Sequence, residues 1–506
     1  MIADPEGPSF ITRTVGRRQY TDDASVSHDP RETCFTLALA SSGRYLGSRK
    51  CRWGWAITMT NLLGQHAIVV GAGIGGLTAA KALSSYFGNV TVLERDALPT
   101  APIVRTGTPQ ARQIHVLLRG GLDALVEFFP NLEAELEREG AVRVRVGSES
   151  LLEIPGFDPF PQRDLGFDYL CMTRPLAEFV VRRSVARQCN VVLNSRCRVT
   201  QFLESPNRVA VTGVRYHDAD GQTKELAADF IVDASSRGAL TVEMLDKMGL
   251  PRPQETEIGI DLRYATALFE IPPSAPREWR AVLHRPGAQS GRGGLLVPVE
   301  NNCWQVNLTH MHGQPVPESH ADFVAFAKTL RTQTIHDAIN NAVPVGPVHR
   351  FGFPGSIRRH FERLDSFPDH LLPLGDVICR FNPAFGQGMS VAAQEVSVLK
   401  RLIEARVLDA DPLQGLAQSF FAAIQDFLAV PWAATESDFM YEKTRGQRPN
   451  DFHQRSKFNL ALQRVAAEDA TVHQIMSEVI HLVKRSGALR DPQIVSRVTA
   501  LIAASA

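Results

Sequence analysis

The sequence predicts an α/β protein: a parallel sheet flanked by helices, interleaved with an antiparallel sheet and followed by a helical C-terminal region. Three observations carry this. The apolar run Ala67-Ile-Val-Val70 leads into Gly71-Ala-Gly73-Ile-Gly-Gly76 and then into the strong helix former Leu77-Thr-Ala-Ala-Lys-Ala-Leu83. Between residues 255 and 347, the segments Leu262–Phe269, Gly294–Val299 and Cys303–Leu308 read as antiparallel strands. Beyond residue 410 the apolar spacing turns helical, at 416–424, 458–466 and 471–483.

The first unit is a βαβ element. Gly71 permits a tight turn, Gly73 lets backbone approach a pyrophosphate, and Gly76 lets the helix pack closely on the sheet. The helix N-terminus then faces the anion. Asn89-Val-Thr-Val-Leu-Glu94 returns as a second strand, ending in an acid 18 residues after Gly76, where a carboxylate meets ribose hydroxyls. Strand, glycines, helix, strand and acid in this order mark a dinucleotide site, without separating FAD from NAD.

The second half of the chain separates them. Leu371-Leu-Pro-Leu-Gly375-Asp376 reads as a strand ending in an acid, followed by Asn382-Pro383-Ala-Phe-Gly386-Gln-Gly388-Met389 and a helix over 390–403. The acid suits a polyol hydroxyl, and the helix N-terminus suits an electron-rich ring. A flavin needs both.

The 506 residues give room for two or three packed units. Lys plus Arg and Asp plus Glu are each 54, so no charged footprint favours nucleic acid or an anionic membrane surface. No run reaches the roughly 18 apolar residues of a membrane helix. The seven cysteines have no CxxC spacing, and their odd count favours a reducing compartment, hence a cytoplasmic protein. Residues 1–63 form an extension with two readings: a disordered tail, or a true start at Met59. The motif order gives a first cofactor-domain part over 64–254, with an inserted piece near 146–167. An antiparallel substrate-domain sheet follows over 255–347, a second cofactor-domain part over 348–410 and a helical cap over 411–506. Leu132–Arg138 reads as a solvated acidic helix.

The motifs resemble those of the class A FAD-dependent monooxygenases, in the branch of the polyether flavin epoxidases and hydroxylase-like proteins. The likeness is carried by the glycine unit with Glu94-Arg95-Asp96, by Arg105-Thr-Gly-Thr-Pro-Gln-Ala-Arg112-Gln-Ile-His115 and by Thr173-Arg174-Pro-Leu176. It continues through Ile231-Val-Asp233-Ala-Ser-Ser236-Arg-Gly238 and the Gly375–Met389 segment. Two departures stand out: Ser236 occupies a glycine position and Ala239 a hydroxyl position of the third motif.

The resemblance implies FAD, with Gly71, Gly73 and Gly76 at the pyrophosphate and Glu94, next to Arg95, at the adenosine ribose. Asp376 falls at the ribityl chain or adjoining ribose, Arg112 and Arg174 at the flavin or pyrophosphate, and Pro383, Gly386, Gly388 and Met389 beside the isoalloxazine. The implied activity inserts one oxygen atom from O2 into a hydrophobic small molecule of secondary metabolism, by hydroxylation or epoxidation, through a C4a-hydroperoxyflavin. No catalytic acid or base is implied. Electrons come from NAD(P)H at the flavin face or from reduced flavin supplied by a partner reductase. The alternatives are an FAD-dependent reductase of isoprenoid-type double bonds and a vestigial flavin-binding protein.

Other patterns carry less. Trp53-Gly-Trp-Ala-Ile-Thr58 is similar to a flavin halogenase signature but precedes the nucleotide strand and lacks its proline. His310-Met-His312 would place two imidazoles on one face of a strand, without a third ligand for a metal. Tyr264 and Trp304 are either core residues or substrate wall. His115 either orients the flavin-side loop or satisfies a backbone carbonyl.

Overall fold

The computed structural model describes residues 62–504. The N-terminal extension, with Phe35–Ala40 and the Trp53–Thr58 run, lies outside the described residues apart from its last two positions.

Five parallel strands form the central sheet, in the order Leu371–Pro373, Phe230–Asp233, Gly64–Val70, Phe87–Glu94, Val191–Ser195. Their apolar runs are buried because helix Ile74–Leu83 packs on them and so do Arg198–Glu204 and Val211–His217 of a three-stranded antiparallel sheet, which place Phe202, Val211 and Val214 in the same core. The register matters for function. Val70 pairs with Asp233 and Leu93, Glu94 with Ser195, and Asp233 with Pro373. The turns after these strands therefore emerge along one edge, where open α/β sheets bind ligands.

Helix Ile74–Leu83 follows the glycines, and the long helix Gly388–Arg406 packs against it and against helix Arg119–Phe128. The main core joins these helices to the parallel strands through residues such as Ile68, Leu77, Leu122, Val396 and Phe420.

A second, largely antiparallel sheet is built around the 16-residue strand Glu255–Glu270, flanked by Cys303–His310 and Pro344–Arg359. Arg292–Val299 and Ala281–His284 extend it, and Ser150–Glu153 from the inserted piece adds a parallel edge. All three strands read from the sequence are present. Because Pro344–Arg359 pairs along the central strand, the chain returns to the parallel sheet after Arg359. Cys303–His310 is buried at seven successive positions because both of its faces are covered. Helices His320–Ala327 and Thr334–Ile339 cover the outer face over Val306, Leu308 and Trp304.

The C-terminal cap packs Leu462, Val465, Met476 and Val498 against Ile154 and Phe160 of the inserted piece. Helix Leu132–Arg138 corrects the expectation of a solvated acidic helix. Leu132 and Leu136 are buried, and Glu133, Glu135 and Glu137 pair with Arg143, Arg183 and Arg187, so the charges face arginines of neighbouring elements. No helix among the described residues is long and apolar enough to cross a membrane.

Candidate active site

The first half of the site is the glycine turn. Gly71 sits at φ +101°, and a Cβ there would come 2.6 Å from the Ala234 carbonyl oxygen. A Cβ on Gly76 would come 2.0 Å from the Gly71 oxygen, so only glycine lets the helix start this close to the strand. At Gly73, the helix N-cap, nothing lies within 4 Å of the Cβ position. The free N–H groups of the first turn thus border open space, the arrangement that accepts a diphosphate.

Glu94 clamps this turn. Its Oε2 accepts the Ala72 N–H at 2.7 Å and lies 3.1 Å from Arg105 Nη1, while Oε1 accepts the Asp96 N–H at 2.9 Å. Arg105 is only 6% exposed and also lies 3.4 Å from Asp96 and 3.1 Å from Glu178. Buried among three carboxylates, its guanidinium is held charged more strongly than usual. Arg105 was visible in a motif, but no spacing rule marks it as the hub of this network, because its partners lie on separate elements. Arg95 stands at the edge and donates to the Gly107 carbonyl at 3.1 Å.

The second half is the turn after Leu371–Pro373. Asp376 follows Gly375, and burial raises its carboxyl against the lowering pull of Arg174 and Arg380. Ser236 Oγ lies 3.5 Å from Asp376 Oδ2, and Ser236 itself sits at φ +77°. The departure from glycine therefore falls at a left-handed position, where a side chain is strained. Asp233 is buried and accepts from Ser235 N–H at 3.0 Å and Thr241 Oγ1 at 2.6 Å, tying this motif to the sheet end.

Asn382 Oδ1 accepts the Ala384 N–H at 2.9 Å and shapes the short turn Pro383–Phe385 before Gly386, at φ +66°, and helix Gly388–Arg406. Pro383 and Ala384 are exposed and Gly386 and Gly388 half-exposed, whereas Met389 packs half-buried against the main core.

Arg174 and His115 connect the halves. Arg174 Nε donates to Glu178 at 2.9 Å, and its Nη1 lies 3.2 Å from His115 Nε2. His115 Nδ1 lies 2.9 Å from the Gln113 carbonyl oxygen. A proton on Nδ1 satisfies that carbonyl and leaves Nε2 to accept from Arg174. Burial first, then the Arg174 charge, pushes the imidazole down to about 3, so it is neutral near pH 7. Of the two readings of His115, the structure shows the contact with a backbone carbonyl, and it adds a contact with Arg174. Arg112 stands apart, exposed, 3.4 Å from His349.

The antiparallel sheet turns a polar face toward this edge. Asn307 donates to Thr266 Oγ1 at 2.7 Å and to Gln113 Oε1 at 3.2 Å, and Gln305 donates to the Arg112 carbonyl at 3.1 Å. Tyr264 lies on the same face, buried, with a hydroxyl that has no partner. Asp438 accepts from Asn382 Nδ2 at 2.7 Å, and burial pushes its carboxyl up to about 7. Trp304 points the other way and stacks on Trp279 at 6.2 Å in the helix-covered core. The pair is therefore split, with only Tyr264 on the site side.

His310 and His312 do not share a strand face. His310 ends its strand with Nδ1 3.0 Å from the Pro315 carbonyl, and His312 leaves it at φ +57° beside Tyr441. Among the described residues no group of three His, Cys, Asp or Glu is placed to hold a metal.

Residues 65–412 match the family model of the FAD binding domain. Protein Rv3254 of Mycobacterium tuberculosis is 30% identical over 360 residues, covering 69% of this chain and 75% of that protein. Two solved structures share the fold. PqsL of Pseudomonas aeruginosa, described as "a probable FAD-dependent monooxygenase", aligns at TM-score 0.53 and 18% identity, over 75% of this chain and 98% of its own. The p-nitrophenol 4-monooxygenase PnpA of Pseudomonas putida aligns at TM-score 0.57 and 16% identity, over 84% and 99%. The glycine turn, the acid at each strand end and the second helix N-terminus thus stand where a matching family model spans most of the chain, and the protein belongs to the FAD binding domain family.

Proposed function

We propose that this protein inserts one oxygen atom from O2 into a hydrophobic small molecule, by hydroxylation or epoxidation, using FAD. The observation that carries the reading is the alignment of both nucleotide elements on one sheet edge beneath the polar face of the antiparallel sheet.

The residues fit the cofactor. The open turn at Gly71, Gly73 and Gly76 would hold the diphosphate through backbone N–H groups, and Glu94 would hold the adenosine ribose with the lone pair left by its three partners. Asp376 would hold a ribityl or ribose hydroxyl, and Arg174, oriented by His115 and Glu178, would face the flavin or diphosphate. Pro383, Gly386 and Gly388 would border the ring, with the Gly388 helix N-terminus stabilising its negative charge. Bound FAD supplies the oxygen-activating redox chemistry. The chain's own part is to bind, to keep water out and to place the acceptor carbon. Tyr264 and the Gln113, Thr266, Gln305 and Asn307 cluster would form the substrate-side wall, with Ile114 and Leu295 as apolar neighbours. Electrons would come from NAD(P)H or from reduced flavin supplied by a partner reductase.

The test supplies the FAD-loaded protein with NADPH, or with a flavin reductase and NADH, under isotope-labelled dioxygen with a panel of alkenes and activated aromatics. One labelled oxygen atom per product molecule is expected. Substrate turnover by double-bond reduction without oxygen uptake would overturn the reading in favour of a reductase.

A further inference from the structure

Helix Gly388–Arg406 carries Glu395 into the dry interior behind the second cofactor turn, where it is 0% exposed. Its Oε2 accepts the Gly375 N–H at 2.7 Å, and its Oε1 has no hydrogen-bond partner. Gly375 sits at φ +65° and presents the next residue, Asp376. The helix is tight against both nucleotide turns: a Cβ on Gly75 would come 3.1 Å, and one on Gly375 3.5 Å, from the Cβ of Ala392. One carboxyl therefore braces the turn that displays another.

A buried carboxylate with one hydrogen bond and no paired cation is strongly disfavoured, and a second carboxylate beside it disfavours its ionisation further. The neighbouring charges do not relieve Glu395. Asp376 opposes its ionisation, and Cys379, from the strand beside the turn, is itself raised well above its usual range by burial. Arg174 and Arg380 act on Asp376, and Arg358 on Cys379, while none is among the groups that lower Glu395. Burial accordingly pushes Glu395 up to about 8.

We propose that Glu395 is a proton-carrying positioning residue: its neutral carboxyl braces the Gly375 turn so that Asp376 holds FAD, and its ionisation loosens FAD binding. The proposal rests on the placement of Asp376 at an FAD hydroxyl. The sign follows from linkage. A carboxyl raised in the folded state supports that state at low pH and loses this support as pH rises, and its neutral form, still predominant at pH 7, gives way to the ionised form as pH passes about 8. Bound FAD adds diphosphate charge and excludes water, which favours the neutral acid further.

The experiment measures the Kd for FAD by fluorescence quenching at pH 7, 8 and 9, in the full-length wild type, in Glu395→Gln and in Asp376→Ala. Glutamine keeps a carbonyl for the Gly375 N–H and is neutral at every pH. Wild-type Kd is expected to rise at least threefold from pH 7 to 9, and that of Glu395→Gln by less than 1.5-fold, with equal affinities at pH 7. Parallel pH profiles in wild type and Glu395→Gln would overturn the proposal. An unchanged Kd in Asp376→Ala would instead remove the cofactor placement itself, so the two failures are distinguishable. Should Glu395→Gln bind FAD poorly at pH 7, Glu395→Asp supplies the control. A shortened acid that still titrates should restore a pH-dependent Kd, and a flat profile there would also overturn the proposal.

Discussion

At the scale of single residues, Asp376 and Ser236 give opposite expectations. The Asp376 carboxylate, if it holds an FAD hydroxyl, makes a charge-assisted bond of about 1.5–3 kcal/mol. Asp376→Ala is therefore expected to weaken FAD binding about 10- to 100-fold while the far-ultraviolet spectrum stays unchanged. Ser236 bears its side chain at φ +77°, and its hydroxyl reaches Asp376 only at 3.5 Å. Ser236→Gly relieves the strain but frees the unfolded chain, for a net gain of about 0.5–1 kcal/mol. A lower denaturation midpoint in Ser236→Gly would mean that the hydroxyl outweighs the strain. Only the family resemblance marked Ser236 as a departure from glycine; the left-handed backbone that makes it costly appears only in the folded turn.

At the scale of elements, the strand end carrying Glu94 works through Arg105. Glu94→Gln retains an acceptor for Ala72, whereas Glu94→Arg brings a second guanidinium against Arg105. FAD retention after gel filtration should fall in the order wild type, Gln, Arg. Equal retention in all three would restrict the acid to bracing the glycine turn. Arg105→Met is expected to cost more than Glu94→Gln, about 3–5 kcal/mol, because Glu94 and Asp96 would lose their buried counter-charge and Glu178 would keep only Arg174. A midpoint equal to wild type would show that water reaches these carboxylates. The helix over 390–403 was legible from its apolar spacing, and it runs from Gly388 to Arg406. Its buried Glu395 was not, because an acid in a helical pattern reads as solvent-facing until both faces of the helix are seen to be covered.

At the scale of the whole molecule, acid should unfold the protein through imidazoles buried in the neutral form. His473 lies in the cap, 4% exposed, edge-on to Phe160 at 4.9 Å, and burial followed by the Arg163 charge pushes it down to about 4. The unfolded chain takes up the proton near 6.5, so this stability is complete above that pH and is lost as pH falls toward 4. His115, at about 3, and His481, at about 4, add losses in the same direction. Urea midpoints should therefore drop between pH 6.5 and 4, and His473→Gln should drop less steeply. Identical slopes would place His473 in contact with solvent.

What the sequence determined by itself is whatever is local along the chain. The Ala67–Leu83 unit, the acids at Glu94 and Asp376, and the strands near 262, 294 and 303 are each written in contiguous residues. Their periodicity and turn chemistry leave few alternatives. Tertiary structure alone decided what depends on partners distant in sequence. It made Arg105 a hub joining the strand end at Glu94 and Asp96 to Glu178 of helix Arg174–Ala186, and turned Tyr264 toward the site and Trp304 away from it. It also parted His310 from His312 and put Glu395 behind Gly375. Hydrogen bonding and desolvation act through space, and a single chain of letters carries no record of which faces will meet.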